Sequence, residues 1–320
     1  MSPFEYVQHA IEQLDWKRQP QGLYAPIEYT LCAGGKRLRP ALAVIASDLF
    51  DGDRKKVLPL ALALEIFHNF TLLHDDLMDS APIRRGRPTV HIQWNENTAV
   101  LSGDQMLIEA YRQLAQLDSE LLHKILPLFN KMATEICEGQ QYDVDFEQRN
   151  DVSTDDYLLM IRLKTSVLLA TALQTGAIVA GATEQQQMYL YNYGINIGLA
   201  FQLQDDILDV YGNPLTFGKA IGGDILSAKK TYMLLTALST ADPATRQSLV
   251  SVLNNKTMSA NEKISKVTDI YTTLGVRQIC EDVMRNYTTA ALAELTKINI
   301  PEEKKLILIK LADKLLARTE

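Results

Sequence analysis

Apolar residues recur along most of this chain at i, i+3, i+4 and i+7, the spacing that lines one face of a helix, and no hairpin dipeptide joins two alternating stretches. The pattern predicts an all-α protein with helices over 3–15, 23–33, 40–50, 55–79, 94–117, 120–139, 154–181, 184–211, 226–241, 258–273, 276–297 and 301–318. Local chemistry marks several ends. Gly34-Gly35 stops one helix, Pro40 and Pro301 open others, and Ser153 with Asp156 has the spacing of a capping box. Three polar, glycine-bearing, basic segments lie between helices: 33–40 (AGGKRLRP), 81–91 (APIRRGRPTVH) and 212–224 (GNPLTFGKAIGGD). In a bundle of long helices such segments collect at helix ends, where binding groups converge on one mouth.

Composition narrows the class. With 320 residues, 47% of them hydrophobic, and no Pro/Gly/Ser linker, the chain has the material for one large helical domain spanning 1–320. A net charge of −7 argues against nucleic acid as a partner, and a chain this acidic must handle phosphate with local clusters. Cys32, Cys137 and Cys280 are odd in number and in no metal-ligand spacing, which suits thiols in a reducing compartment. The first residues carry acidic groups where a secretory signal needs an apolar run, and the weakly polar stretch 166–182 holds Gln174 and several threonines. The expectation is a cytoplasmic protein without a membrane span.

The strongest signal is a repeated acidic triplet. Asp75, Asp76 and Asp79 (DDLMD) return as Asp205, Asp206 and Asp209 (DDILD), each after a long apolar helical run. With 22 aspartates in the chain, chance supplies about 0.1 DDxxD triplets, so a pair of them is not a mere solvated helix surface. Helical residues at i and i+4 share a face, so Asp75 with Asp79, and Asp205 with Asp209, each present two hard oxygen ligands side by side. Mg²⁺ is the natural neutraliser, since it takes one or two carboxylates together with phosphate oxygens and water. Two facing pairs would hold a diphosphate through metal ions. Lys36, Arg37 and Arg39 in the Gly-Gly loop, with Arg84, Arg85 and Arg87 after the first triplet, offer backbone N–H groups and guanidinium forks to a second phosphate group. Beside apolar helices, these groups describe a pocket for a diphosphate head and a hydrocarbon tail.

These segments resemble the trans-polyprenyl diphosphate synthases, the head-to-tail prenyltransferases of isoprenoid biosynthesis. The likeness runs from residue 34 to about 231: GGKRLRP (34–40), LLHDDLMDSAPIRRGRPTVH (72–91), GQQYD (139–143), LKTS (163–166), FQLQDDILD (201–209), FGKAIGGD (217–224) and KKT (229–231). Each alone is weak, but in this order they are highly specific. One departure is Ala228 before KKT, where the family often has glycine, which leaves open the part played by Lys229 and Lys230.

The resemblance implies the isoprenoid synthase type I fold, a single-domain bundle of long antiparallel helices around a central cavity, usually as a homodimer. It implies Asp75, Asp79 and Asp205 as Mg²⁺ ligands, with Asp76, Asp206 and Asp209 supporting a cluster of three ions in which Mn²⁺ can substitute. Arg84, Lys164, Thr165, Gln202 and Lys219 would contact the allylic diphosphate (dimethylallyl, geranyl or farnesyl), with Lys164, Gln202 and Lys219 also counted as catalytic. Lys36, Arg39, His68 and Arg85 would hold isopentenyl diphosphate without metal. His68 precedes Asp75 by two helical turns on the same face, which favours a ligand role over that of a core histidine. The implied chemistry is ionisation of the allylic substrate, attack by the isopentenyl double bond, and loss of a proton to the departed diphosphate.

Product length should follow channel depth below the first triplet. At helical rise, Phe70 lies about 7.5 Å and Phe67 about 12 Å from Asp75, against roughly 14 Å for an extended C15 tail. The family's ruler is the fifth residue before the first aspartate, here Phe70, with Phe67 and Thr71 nearer the Asp75 side of the helix. Aromatics there imply a short product, farnesyl or geranylgeranyl diphosphate, unranked. A class I terpene cyclase would mix Asn, Ser or Thr with Glu in the second motif and lack the basic loop. A non-catalytic partner subunit would lose motif carboxylates, and a ferritin-like di-metal protein would need Glu-x-x-His pairs. The sequence argues against all three.

Overall fold

Helix formation follows the apolar periodicity almost everywhere in the computed structural model, which describes residues 1–212 and 221–317. The elements are α1 (Pro3–Glu12), α2 (Gln21–Leu31), α3 (Leu38–Leu49), α4 (Arg54–Met78), β1 (Ile83–Arg84), β2 (Arg87–Pro88), α5 (Val90–Gln93), α6 (Glu96–Leu114), α7 (Ser119–Gln148), α8 (Thr154–Ile161), a π-helical turn (Arg162–Ser166), α9 (Val167–Val179) and α10 (Glu184–Tyr211). They continue as α11 (Gly223–Leu226), α12 (Tyr232–Thr240), α13 (Pro243–Asn254), α14 (Ala260–Thr273), α15 (Val276–Thr296) and α16 (Glu302–Ala317).

The chain divides into two compact units, Met1–Asn130 with Thr171–Leu190, and Lys131–Ala170 with Tyr191–Glu320. In the first, α4 packs on α3 and α6, burying Leu60, Leu64, Ile66 and Phe67 against Leu42 and Met106. The Phe67 ring meets Phe70 at 5.6 Å and Phe129 at 5.3 Å between centroids, and Phe129 in turn meets Tyr111. In the second, Tyr157, Tyr193, Leu203, Met233 and Met284 are buried, and the Tyr193 hydroxyl donates to the Leu308 carbonyl at 2.8 Å. α4 and the α8–α9 segment are long and apolar enough to cross a membrane, but 61% and 72% of those stretches are buried inside the protein. Their apolar surface serves as core.

The departures from the expected elements have local causes. The helix expected over 94–117 runs from Glu96 to Leu114, because the short α5 ends at Trp94 and the chain restarts at Asn95, whose side chain accepts from the Thr98 N–H. α7 runs on to Gln148, past Gly139, where the pattern placed its end. That glycine is a contact, not a stop: a Cβ there would lie 2.4 Å from the Lys164 nitrogen, so α7 passes the π-turn at backbone distance. α13 was not expected. Its start is signalled by Asp242, which caps two N–H groups ahead of Pro243, but only Leu249 on it is fully buried and its apolar period is weak. The predicted helix over 226–241 is shorter, beginning at Tyr232 after the Thr231 cap.

The other departure is a hairpin inside an all-α chain. β1 and β2 pair antiparallel, Ile83 with Pro88 and Arg84 with Arg87, around Arg85 and Gly86, both at positive φ. This is the two-residue turn that Asn-Gly usually announces. Here arginine takes the first position, so the sequence signal is missing. The capping box at Ser153 forms as expected, with both arms present.

Candidate active site

Both acidic triplets sit near the C-terminal ends of long helices, the first closing α4 with Asp79 as its C-cap and the second in the last two turns of α10. Carboxylates there face the negative end of the helix dipole, so each triplet is a site that favours a cation. In each the middle aspartate turns inward. Asp76 is 6% exposed and Asp206 3%, whereas Asp75, Asp205 and Asp209 are half-buried and Asp79 is exposed.

In the first unit, Arg84 on β1 reaches back to the α4 triplet, with Nε 2.6 Å from Asp76 and Nη2 3.3 Å from Asp75. Burial raises the Asp76 carboxyl above its ordinary value although Arg84 opposes the shift. The hairpin tip carries Arg85, whose guanidinium donates to the Gly34 carbonyl and lies 2.9 Å from where a Cβ on Gly35 would stand. Gly35 also sits at φ +131°, so a side chain there would both strain the backbone and displace Arg85. His68 is held neutral, its pKa pushed well below the ordinary value by burial and by the guanidiniums of Arg39, Arg85, Arg84 and Arg37. Arg39 is pushed down to about 10 by burial, and its Nε is buried without a hydrogen-bond partner. Arg39, His68 and Arg85 thus lie within electrostatic reach of one another. Arg37 does not join them: it is 4% exposed and bound to Glu65. A partly open pocket alongside is lined by Tyr29, Asn69, Asp76, Arg84, Arg85 and Arg87 among others.

In the second unit the carboxylate of Asp206 accepts from the Tyr157 hydroxyl at 2.6 Å, from the Tyr232 N–H at 3.3 Å and from Gln202 Nε2 at 3.4 Å. Burial pushes its pKa up to about 8, against the lowering effect of Tyr157. Thr165 donates to Gln202 at 3.5 Å, so the π-turn and the α10 triplet are joined by one chain of polar contacts. Lys164, on the same turn, and Lys229 both contact Asp143, at 2.7 and 3.4 Å. Burial raises the Asp143 carboxyl, but the two lysines outweigh it and hold the group below its ordinary range. Lys230 instead donates to the Phe146 and Glu147 carbonyls at the end of α7, which separates the two lysines that the sequence left undecided. Asp209 accepts from the Asp224 N–H at 3.0 Å, fixing the start of α11. Lys219 lies outside the described residues.

Among the described residues no three His, Cys, Asp or Glu side chains stand close enough to hold a metal ion by themselves. Pairs of carboxylate oxygens one helical turn apart are the donor set that Mg²⁺ takes when a phosphate completes its shell, so the residues fit that ion. Three participants escaped sequence reasoning. Asp143 lay unassigned within GQQYD. Tyr157 has no signature of its own. Glu65 could have been found as a lone acid in the apolar run LALALEIF, since a buried charge implies a partner.

The family model for Polyprenyl synthetase matches residues 20–273. The chain is 42% identical over 234 residues, 72% of each chain, to the geranylgeranyl diphosphate synthase of Methanosarcina mazei. A solved geranylgeranyl pyrophosphate synthase superposes with a TM-score of 0.93 at 42% identity over 99% of both chains. Another, from Corynebacterium glutamicum and complexed with isoprenyl diphosphate and magnesium, gives 0.88 at 29% identity over 99% and 98%.

The raised Asp206 pKa sets a pH dependence. The folded chain keeps a proton on Asp206 that the unfolded chain, with an ordinary carboxyl, has released, so in EDTA the contribution of Asp206 to stability falls as pH rises from about 4 to about 8. Urea unfolding of wild type and Asp206→Asn across that window is expected to show a flatter slope for the variant. Parallel slopes would mean an ionised Asp206 in the folded protein.

Proposed function

We infer the reaction from one premise: the chain belongs to the polyprenyl synthetase family. It has the all-α isoprenoid synthase fold and is a short-chain trans-prenyltransferase. Its substrates are isopentenyl diphosphate and an allylic diphosphate, joined head to tail with release of diphosphate. The observation that carries this reading is the matched sorting of the two triplets, with the middle aspartate buried and the outer ones less buried in both.

Asp75, Asp79, Asp205 and Asp209 are the residues to hold Mg²⁺, which supplies Lewis-acid neutralisation of the leaving diphosphate. Asp76 and Asp206 act from behind, through Arg84 and through Tyr157 and Gln202. Arg84, Lys164, Lys229, Thr165 and Gln202 bind and orient the allylic diphosphate, and Lys164 and Lys229 exchange Asp143 for phosphate oxygens. Hydroxyl and amide dipoles of Thr165 and Gln202 face the positive charge that develops at the allylic carbon. Lys36, Arg39, His68 and Arg85 bind isopentenyl diphosphate. A neutral His68 donates from one ring nitrogen without adding charge to an already cationic cluster.

Geranylgeranyl diphosphate is the product best supported, because relatives at this identity carry that name and Phe70 stands below the first triplet. Phe67 is 1% exposed between Phe70 and Phe129 and so backs the floor, while Thr71 donates to the His68 carbonyl at 2.8 Å and steadies that turn. A homodimer is supported by the exposed apolar stripe Leu101, Ile108 and Tyr111 on α6, with Ile92 nearby. The cytoplasm suits three free thiols.

Incubation with isopentenyl diphosphate, Mg²⁺ and each of the C5, C10 and C15 allylic starters, followed by chain-length analysis, is expected to give C20 as the longest main product. Accumulation of C15 alone would overturn the product assignment, and no condensation with any starter would overturn the reaction. Phe70→Ala should shift the distribution to longer chains. Asp75→Asn or Asp205→Asn should lower kcat by a factor of about a thousand or more, as loss of an electrostatic group does, with unchanged helical circular dichroism. The dimer predicts a light-scattering mass near twice 35.9 kDa, falling to one chain in Leu101→Glu.

A further inference from the structure

Within the apolar run 60–67 of α4 stands one charged residue, Glu65, which is 2% exposed. Its carboxylate accepts from Arg37 Nη1 at 2.7 Å and from Asn69 Nδ2 at 2.9 Å. Arg37 is buried too, and it donates from Nε to Gln8 at 2.9 Å and from Nη2 to the Leu31 carbonyl. One guanidinium therefore ties together α1, the end of α2 and the middle of α4. Its own backbone is left-handed, φ +46°, at the N-cap of α3, a conformation that costs a non-glycine residue strain unless the surroundings enforce it.

Stability alone does not account for this pair. A buried ion pair gains little over apolar packing, because desolvating both charges offsets their attraction. What the pair fixes is position. Arg37 lies between Lys36 and Arg39, and the loop it pins also supplies the Gly34 carbonyl and the Gly35 surface against which Arg85 rests. Glu65 is one helical turn before His68 and lies within the electrostatic reach of Arg39 and Arg85. One buried anion thus stands beneath both arginines assigned to the second diphosphate.

We propose that Glu65 is a positioning residue for isopentenyl diphosphate, acting through Arg37 to lock the 34–38 loop in the turn that presents Arg39 and Arg85. The proposal rests on the reaction assigned above. Its sign is distinctive: removing an anion from beneath arginines would by itself strengthen diphosphate binding, whereas loosening the loop weakens it.

The test compares wild type with Glu65→Gln, which keeps the shape and removes the charge, and with Arg37→Lys, which keeps the charge and removes the fork. KM for isopentenyl diphosphate is expected to rise about tenfold in both, the size of one lost charge-assisted hydrogen bond, with kcat and the allylic KM within about twofold. An unchanged or lower isopentenyl KM, or an equal rise for both substrates, overturns the proposal. Should Glu65→Gln fail to fold, Arg37→Lys decides by the same criterion. Calorimetric titration of each protein with isopentenyl diphosphate alone separates the two levels. Wild type that binds it but makes no prenyl product refutes the reaction, while equal affinities in wild type and Arg37→Lys refute the role of Glu65.

Discussion

Carboxylates crowded at the negative ends of two apolar helices are the constraint from which the rest of this molecule follows. Like charges at i and i+4 repel, and the dipoles of α4 and α10 oppose them further. The chain sorts these acids by burial. It buries the middle aspartate of each triplet against a dedicated partner, Arg84 in one case and Tyr157 in the other, and keeps the outer ones nearer the surface. Negative charge gathered at those two helix ends is the capacity to bind cations, and through them a substrate that is itself an anion.

The same economy governs the basic side. An acidic protein gathers its arginines at the Gly-Gly loop and the hairpin, and both segments use left-handed residues to do so, Arg37 at φ +46° and Arg85 at φ +51°. Such backbone persists only where neighbours over-determine it. Here Glu65, Gln8 and the Leu31 carbonyl enforce the first, and strand pairing enforces the second. Glycine at 35 and at 139 permits approaches that any side chain would block, one for the Arg85 guanidinium and one for the Lys164 backbone.

Helical class, most helix positions and the motif residues follow from local rules, because periodicity, caps and i, i+4 spacing act over a few residues. Even the pairing of Asp75 with Asp79 on one face is local. The aspartates that turn inward, the arginine of GGKRLRP that serves the fold, the helix terminus that Lys230 caps, and Asp143 as anchor of two lysines were decided only by tertiary packing. Apart from Asp76, whose partner Arg84 follows eight residues later, these depend on partners far along the chain: Arg37 on Glu65, Asp206 on Tyr157, Lys229 on Asp143. The energy that chooses between a solvated and a buried charge comes from desolvation, and desolvation depends on which distant segment covers the site.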